Sequence, residues 1–286
     1  MSMTAGRRHL AATAGALALV QVLAFGSVAR AASTPEQAAP SPAPSATTQS
    51  QPAAAAPPPT APPTATPPTA TLPKAVVLSN ESTRTTWAHP VLETSIHEHP
   101  TPRSHVIART RVQTEDGFPE VYMLLASLTD AHGREWVRVR IPGRPNGRIG
   151  WVARGALGEF HVSRWLIEIS LGARRLRAYD NGRLRLSAPV GVGKPSSPTP
   201  TGHFWIRELF KVSSRNNPYW PYALGTSAYS TLTDWPGGGV VGIHGDFGKP
   251  QLIPGDPSHG CVRMHAADLS RLAPVVPLGT PVHIVR

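Results

Sequence analysis

The stretch Trp165-Leu166-Ile167-Glu168-Ile169-Ser170, followed by Arg175-Leu176-Arg177-Ala178-Tyr179, Asp180-Asn181-Gly182 and Leu184-Arg185-Leu186-Ser187-Ala188-Pro189-Val190, decides the fold class. The first two runs are short and strand-like, and Asp180-Asn181-Gly182 has the chemistry of a tight hairpin turn, so Leu184–Val190 reads as the returning strand. Working outward, Trp136-Val137-Arg138-Val139-Arg140-Ile141 alternates with a period of two, placing the valines and Ile141 on one face and the arginines on the other. Pro142–Gly147 reads as a turn, Gly150-Trp151-Val152 as the start of the next strand, and Ser104-His105-Val106-Ile107-Ala108 as another. Helix signals are scarce; the best is Ala266–Leu272, with Asp268 in its first turn and Pro274 just beyond. The chain is therefore expected to be mainly β.

Upstream the composition changes. Arg7-Arg8, the apolar stretch Leu10–Val28 and Ala29-Arg30-Ala31 form the positive, hydrophobic and cleavage regions of a signal peptide over residues 1–31. The arginine pair hints at twin-arginine export, and a membrane contact is expected only through this segment if it stays uncleaved. Residues 33–73 hold 13 of the 32 prolines and a single charge, Glu36, so residues 32–73 read as a spacer with too few large apolar groups to offset chain entropy. No later apolar run reaches the roughly 18 residues that a spanning helix requires. The protein of 286 residues has a formal net charge of +11, of which +9 belongs to residues 74–286. That balance points to anionic surroundings. The arginines are scattered along strands without a recognition motif, so nucleic acid is not expected as a partner.

The single cysteine, Cys261, excludes an internal disulfide or a C-x-x-C pair. A lone cysteine is most often a small buried hydrophobe. Here it lies in Ser258-His259-Gly260-Cys261-Val262-Arg263, after a loop of Gly255, Asp256 and Pro257, a poor core segment. Ile243-His244-Gly245 stands upstream, so an imidazole is available to take the thiol proton and leave a thiolate–imidazolium pair. Gly245 and Gly260 let backbone approach a substrate closely, and Arg263 adds positive potential. His244, His259, Cys261 and His265 also offer donors for a tetrahedral zinc, although their spacing matches no usual ligand pattern. His97-x-His99, with Glu98 between and Pro100 after, reads as a solvated loop. Gly191-Val192-Gly193-Lys194 lacks the P-loop spacing and has Pro195 after the lysine. No metal and no cofactor are expected.

Ser258–Arg263 with Ile243–Gly245 resembles the signature of the L,D-transpeptidases, which cross-link peptidoglycan. Val190–Pro195, Thr199-Pro200-Thr201-Gly202-His203-Phe204 and Asn217-Pro218-Tyr219-Trp220-Pro221-Tyr222-Ala223-Leu224 are similar to further segments of that family, in the same order, so the resemblance covers residues 161–286. Arg263 stands where some members have Asn. Residues 74–158 resemble a small bacterial Src-homology-like barrel, through Trp136–Val139 and Gly150–Val152. The expected architecture is an exported two-domain protein of the periplasm or cell wall: a small barrel, then a β-sandwich-like catalytic domain.

The resemblance implies roles residue by residue. Cys261 is the nucleophile, His244 its base, the Gly245 carbonyl the group that orients the ring, and the Gly260 amide an oxyanion donor. His259, Ser258, Arg263 and Tyr222 are implied in substrate binding. Cys261 would attack the third-residue carbonyl of a tetrapeptide stem, release D-alanine and pass the acyl group to an amine, with water as a competing acceptor (an L,D-carboxypeptidase side activity). Carbapenem-type inhibitors are expected to acylate the same sulfur. The alternative from another class is a wall-binding protein with an inactive transpeptidase-like domain.

Overall fold

Alternating side chains and glycine-containing turns produce two sheets in the computed structural model, which describes residues 74–234 and 236–286. The signal segment and spacer expected over residues 1–73 lie outside the described residues. Among the described residues, no helix is long and apolar enough to cross a membrane.

The first sheet comprises β1 (Val76–Val77), β2 (Thr85–Ala88), β3 (Ser95–His97), β4 (Val106–Arg109), β5 (Tyr122–Thr129), β6 (Glu135–Arg140), β7 (Ile149–Ala153) and β8 (His161–Ser163). Its eight strands run β4-β3-β7-β6-β5-β2-β8, with β1 on β5. Val137, Val139 and Ile141 are buried together with Ile96, Leu124 and Val152, as the alternation requires. Two details depart from the sequence reading. His161–Ser163, assigned above to the second unit, pairs antiparallel with β2 and belongs to this sheet. His97, read above as part of a solvated loop, ends β3 and is buried edge-on against Trp136, because its Nδ1 bonds the Ser104 carbonyl at 3.0 Å.

The second sheet comprises β9 (Trp165–Ser170), β10 (Arg175–Asp180), β11 (Arg183–Gly193), β12 (Gly202–Lys211), β13 (Tyr222–Tyr229), β14 (Val240–His244), β15 (Gly255–Ser258), β16 (Val262–Met264) and β17 (Pro281–Val285). The nine strands run β10-β9-β17-β12-β13-β14-β16-β11-β15, and β10 also pairs with β11. The two halves of the expected sandwich are thus joined into a ring. Strand β11 makes the join: its first part pairs with β10 and its last residues pair with β16 and β15. The β10–β11 turn has Asn181 at φ 49° and Gly182 at φ 77°, the left-handed geometry that its sequence calls for. Helix α1 (Ala266–Leu272) buries Leu269 and Leu272 against this core.

The first and second sheets share buried contacts. Trp87, Val121, Met123 and Trp205 form one apolar cluster, and Trp205 donates its indole N–H to the Val121 carbonyl at 2.7 Å. Beside it, Arg207 of β12 is fully buried and bonds both oxygens of the equally buried Glu120. Arg207 also reaches Glu115 and the Tyr229 hydroxyl, each at 3.1 Å. Burial opposes the Arg207 charge, but the bonds and charges of Glu120, Tyr229 and Glu115 raise its pKa above the ordinary value. Asn146 grips both backbone groups of Tyr229, at 2.8 and 3.0 Å. Loop 111–120 and loop 144–146 are thereby fastened to β12 and β13 of the second sheet.

Candidate active site

The register of two parallel strands brings the sequence-distant residues together. Strands β14 and β16 pair Ile243 with Val262 and His244 with Arg263, so Cys261, the residue just before β16, lies level with Gly242, two residues before the end of β14. Its Sγ accepts the Gly242 N–H at 3.5 Å, and Cys261, His244 and Gly242 line one cavity of about 230 Å³.

The His244 ring is buried, and its Nδ1 lies 2.8 Å from the Gly245 carbonyl. A carbonyl only accepts, so Nδ1 carries the hydrogen and Nε2 of the neutral ring keeps its lone pair. The glycine at position 245 is a packing necessity: a Cβ there would lie 1.6 Å from the Trp220 carbonyl oxygen. Tyr219 meets the His244 ring edge-on, with centroids 4.8 Å apart, and Phe247 tilts against it at 5.3 Å.

The nucleophile loop is held from inside. Gly260 sits at φ 126°. Its carbonyl accepts the Thr199 hydroxyl at 2.8 Å, while Thr199 Oγ1 accepts the Gly193 N–H at the same distance. Ser258 is buried; its hydroxyl donates to the Cys261 carbonyl at 2.6 Å and accepts the Gly260 N–H at 3.1 Å.

Electrostatics at the pair favour two neutral groups at rest. Burial pulls the His244 pKa down to about 4; the Gly245 carbonyl works against the shift, and Arg263 adds to it. Burial pushes the Cys261 thiol up, although the Gly242 N–H and Arg263 favour its thiolate. Both shifts favour the neutral pair over the thiolate–imidazolium pair expected from the sequence.

The sequence-assigned residues divide into three groups. Cys261, His244, the Gly245 carbonyl and Arg263 converge on the site, where the Arg263 guanidinium lies over the Phe247 ring, 4.3 Å from its centroid. His259 lines the smaller cavity on the same side and its Nε2 meets Lys194 Nζ at 2.9 Å. Ser258 lines that smaller cavity as well, whereas the Gly260 amide and Tyr222 are placed otherwise. Ser258 and the Gly260 N–H bond each other within the loop. Tyr222 packs against the catalytic core, while its strand neighbour Ala223 lines the cavity, because successive strand side chains face opposite ways. The tyrosine at the site is Tyr219, three residues earlier, in company with Phe247 and Phe210. Gly242, Glu208 and Asp116 were missed altogether; the fixed spacing of Gly242 two residues before His244 was the one available signal. As to zinc, no three of His244, His259, Cys261 and His265 bring ligand atoms together among the described residues; Glu81, His203 and His283 do.

The family model of the L,D-transpeptidase catalytic domain (YkuD) matches residues 164–284. Two curated relatives, each named "Putative L,D-transpeptidase YkuD", come from Bacillus subtilis and Bacillus licheniformis. They are 36% identical over 120 residues and 37% over 118, covering 42% and 41% of this chain. The matched part spans 65% and 64% of the length of those relatives. Among solved structures, the ertapenem-acylated catalytic domain of the Enterococcus faecium L,D-transpeptidase is similar at 26% identity, over 43% of this chain and 98% of that one, with a TM-score of 0.33. L,D-transpeptidase 3 of Mycobacterium tuberculosis is similar at 12% identity, over 54% and 92%, with a TM-score of 0.36.

Proposed function

Taking as premise that residues 164–284 carry an L,D-transpeptidase catalytic domain, we propose that the protein is an exported cysteine acyltransferase acting on peptidoglycan stem peptides. The observation that carries this reading is the joint placement of Cys261 and His244 in one cavity, with the His244 Nδ1 bonded to Gly245 so that Nε2 is the free base.

In the first half-reaction the Cys261 thiol gives its proton to His244 Nε2 as sulfur bonds to the carbonyl carbon of the third stem residue. The C–N bond to the terminal D-alanine breaks, and that amine leaves with the proton from His244. In the second, an acceptor amine adds to the thioester carbonyl and His244 takes its proton. The C–S bond then breaks, and the proton returns to sulfur. Backbone N–H groups at the cavity stabilise the tetrahedral oxyanion, at about 3–4 kcal/mol per donor in enzymes where this has been measured. The Gly242 N–H already points at the sulfur. Water as acceptor gives the carboxypeptidase side reaction. A location in the periplasm or cell wall is supported by the signal-like N-terminal segment and proline-rich spacer read from the sequence, and +9 on residues 74–286 suits an acidic matrix there.

Intact-mass measurement after incubation with a carbapenem tests the reading. One covalent adduct, mapped to Cys261, is expected; a folded wild type that forms no adduct overturns it.

A further inference from the structure

His203 of β12 and His283 of β17 are direct partners across two antiparallel strands. Side chains at opposed positions leave the same face of a sheet, with Cβ atoms about 4.5–5.5 Å apart. Here the two imidazole rings meet with centroids 4.3 Å apart, tilted by 57°. Glu81, from the connection between β1 and β2 of the first sheet, completes the group. One ligand atom from each of the three side chains lies within 4.8 Å of the other two, and His203 Nδ1 is 3.8 Å from Glu81 Oε2. None of the three lines either cavity at Cys261.

Glu81 has a partner of its own. Arg140 Nε and Nη2 donate to its two carboxylate oxygens, each at 2.9 Å. That contact takes two of about four lone-pair positions, so each oxygen keeps one for another ligand. A ligating carboxylate fixed from behind by a hydrogen-bond donor is the usual arrangement around protein-bound metals. The ion pair leaves the histidines unexplained, His283 above all. Its Nε2 is buried and meets no hydrogen-bond partner, which costs the desolvation of that atom unless something else occupies its lone pair or its hydrogen. His203, with 56% of its side chain exposed, connects the group to solvent and gives an ion a way in.

We propose that Glu81, His203 and His283 bind a divalent transition-metal ion of the zinc class, which ties the β1–β2 connection to the β12–β17 pair. Neutral imidazole is the commonest protein ligand for such ions, and two imidazoles with one carboxylate suit zinc, whereas calcium and magnesium take oxygen donors. Bonds of about 2.0–2.2 Å require the three side chains to draw closer, a movement that the exposed His203 ring supplies by rotation. Arg140 offsets the carboxylate charge, so the affinity expected is micromolar. The site is separate from the acyl-transfer chemistry, and its role is to hold the two sheets together. No spaced motif marks these residues in the sequence; the strand register and the packing of the β1–β2 connection bring them together.

Zinc alone, titrated into untagged full-length protein carrying Cys261→Ala, tests the proposal, since that background removes the thiol as a competing ligand. Calorimetry is expected to show one zinc bound per chain, and the melting temperature should rise with zinc because only the folded chain assembles the three ligands. Magnesium at the same concentration should leave the melting temperature unchanged. His203→Ala and His283→Ala are each expected to weaken zinc binding by about tenfold or more and to remove the rise in melting temperature. His203 is the decisive position if the His283 variant fails to fold, because an exposed ring can be removed without opening the core. Absence of saturable zinc binding at micromolar concentration overturns the proposal, as does unchanged affinity in His203→Ala or an equal response to magnesium.

Discussion

Arg207 of β12 and Glu120 of loop 111–120 form a two-point ion pair, with 1% and 0% of their side chains exposed. The pair ties the loop that carries Asp116 to the strand that carries Glu208. A buried ion pair adds little net stability over an apolar packing, but removing one partner strands a charge in low dielectric. Glu120→Ala is therefore expected to lower stability by about 3–5 kcal/mol, read by denaturant unfolding. A loss under about 1 kcal/mol would show that water reaches Arg207 when its partner is gone.

Cys261→Ala is expected to abolish carbapenem adduct formation while leaving the melting temperature within a few degrees of wild type. The side chain is small, and its one bond, from the Gly242 N–H, is long at 3.5 Å. A variant that still joins stem peptides refutes the assignment of the nucleophile.

The acylation rate should depend on pH through His244. With its pKa held near 4 by burial, the imidazole stays an available base down to that pH. The rate with a carbapenem is expected to be level from about pH 6 to 8 and to fall with a midpoint near 4. Native stability follows the same group. The unfolded chain binds the proton from about pH 6.5 and the native state only near 4, so stability declines as pH falls through this window. An acid limb centred near 6.5, or thiolate absorbance at neutral pH, would show the ion pair to be the resting state.

Gly245→Ala is expected to damage the site through the backbone. The added methyl meets the Trp220 carbonyl at 1.6 Å, so either strand end must shift, and with it the carbonyl that orients His244. Overpacking of this kind costs about 1–3 kcal/mol, and the acylation rate should drop by at least tenfold. Paired melting and acylation measurements separate the two effects; full activity in the variant would mean that the segment 217–222 yields easily.

Tyr219→Ala should slow acylation several-fold and Tyr219→Phe should leave it near wild type, since the edge-on contact with His244 uses the ring. Such a pair contributes about 0.5–1.5 kcal/mol beyond burial. Equal loss in both variants would transfer the role to the hydroxyl.

Local chemistry made much of this protein legible from its residues. The Asn181-Gly182 turn, the alternation of Val137, Val139 and Ile141 and the helix at 266–272 follow from short-range periodicity and turn chemistry, and stand in the structure as described. What only the tertiary structure decided are properties of enclosure and approach. Ser258 lines the smaller cavity with its hydroxyl spent on closing the nucleophile loop, and Tyr219 reached the imidazole from the turn that precedes β13. Asp116 came to the cavity from a loop 145 residues before Cys261 in sequence, through pairing and packing that no local pattern encodes. The same holds for the lowered pKa of His244 and the raised pKa of Cys261. Protonation answers to burial, and burial is set by everything that packs around a group rather than by its neighbours in the chain.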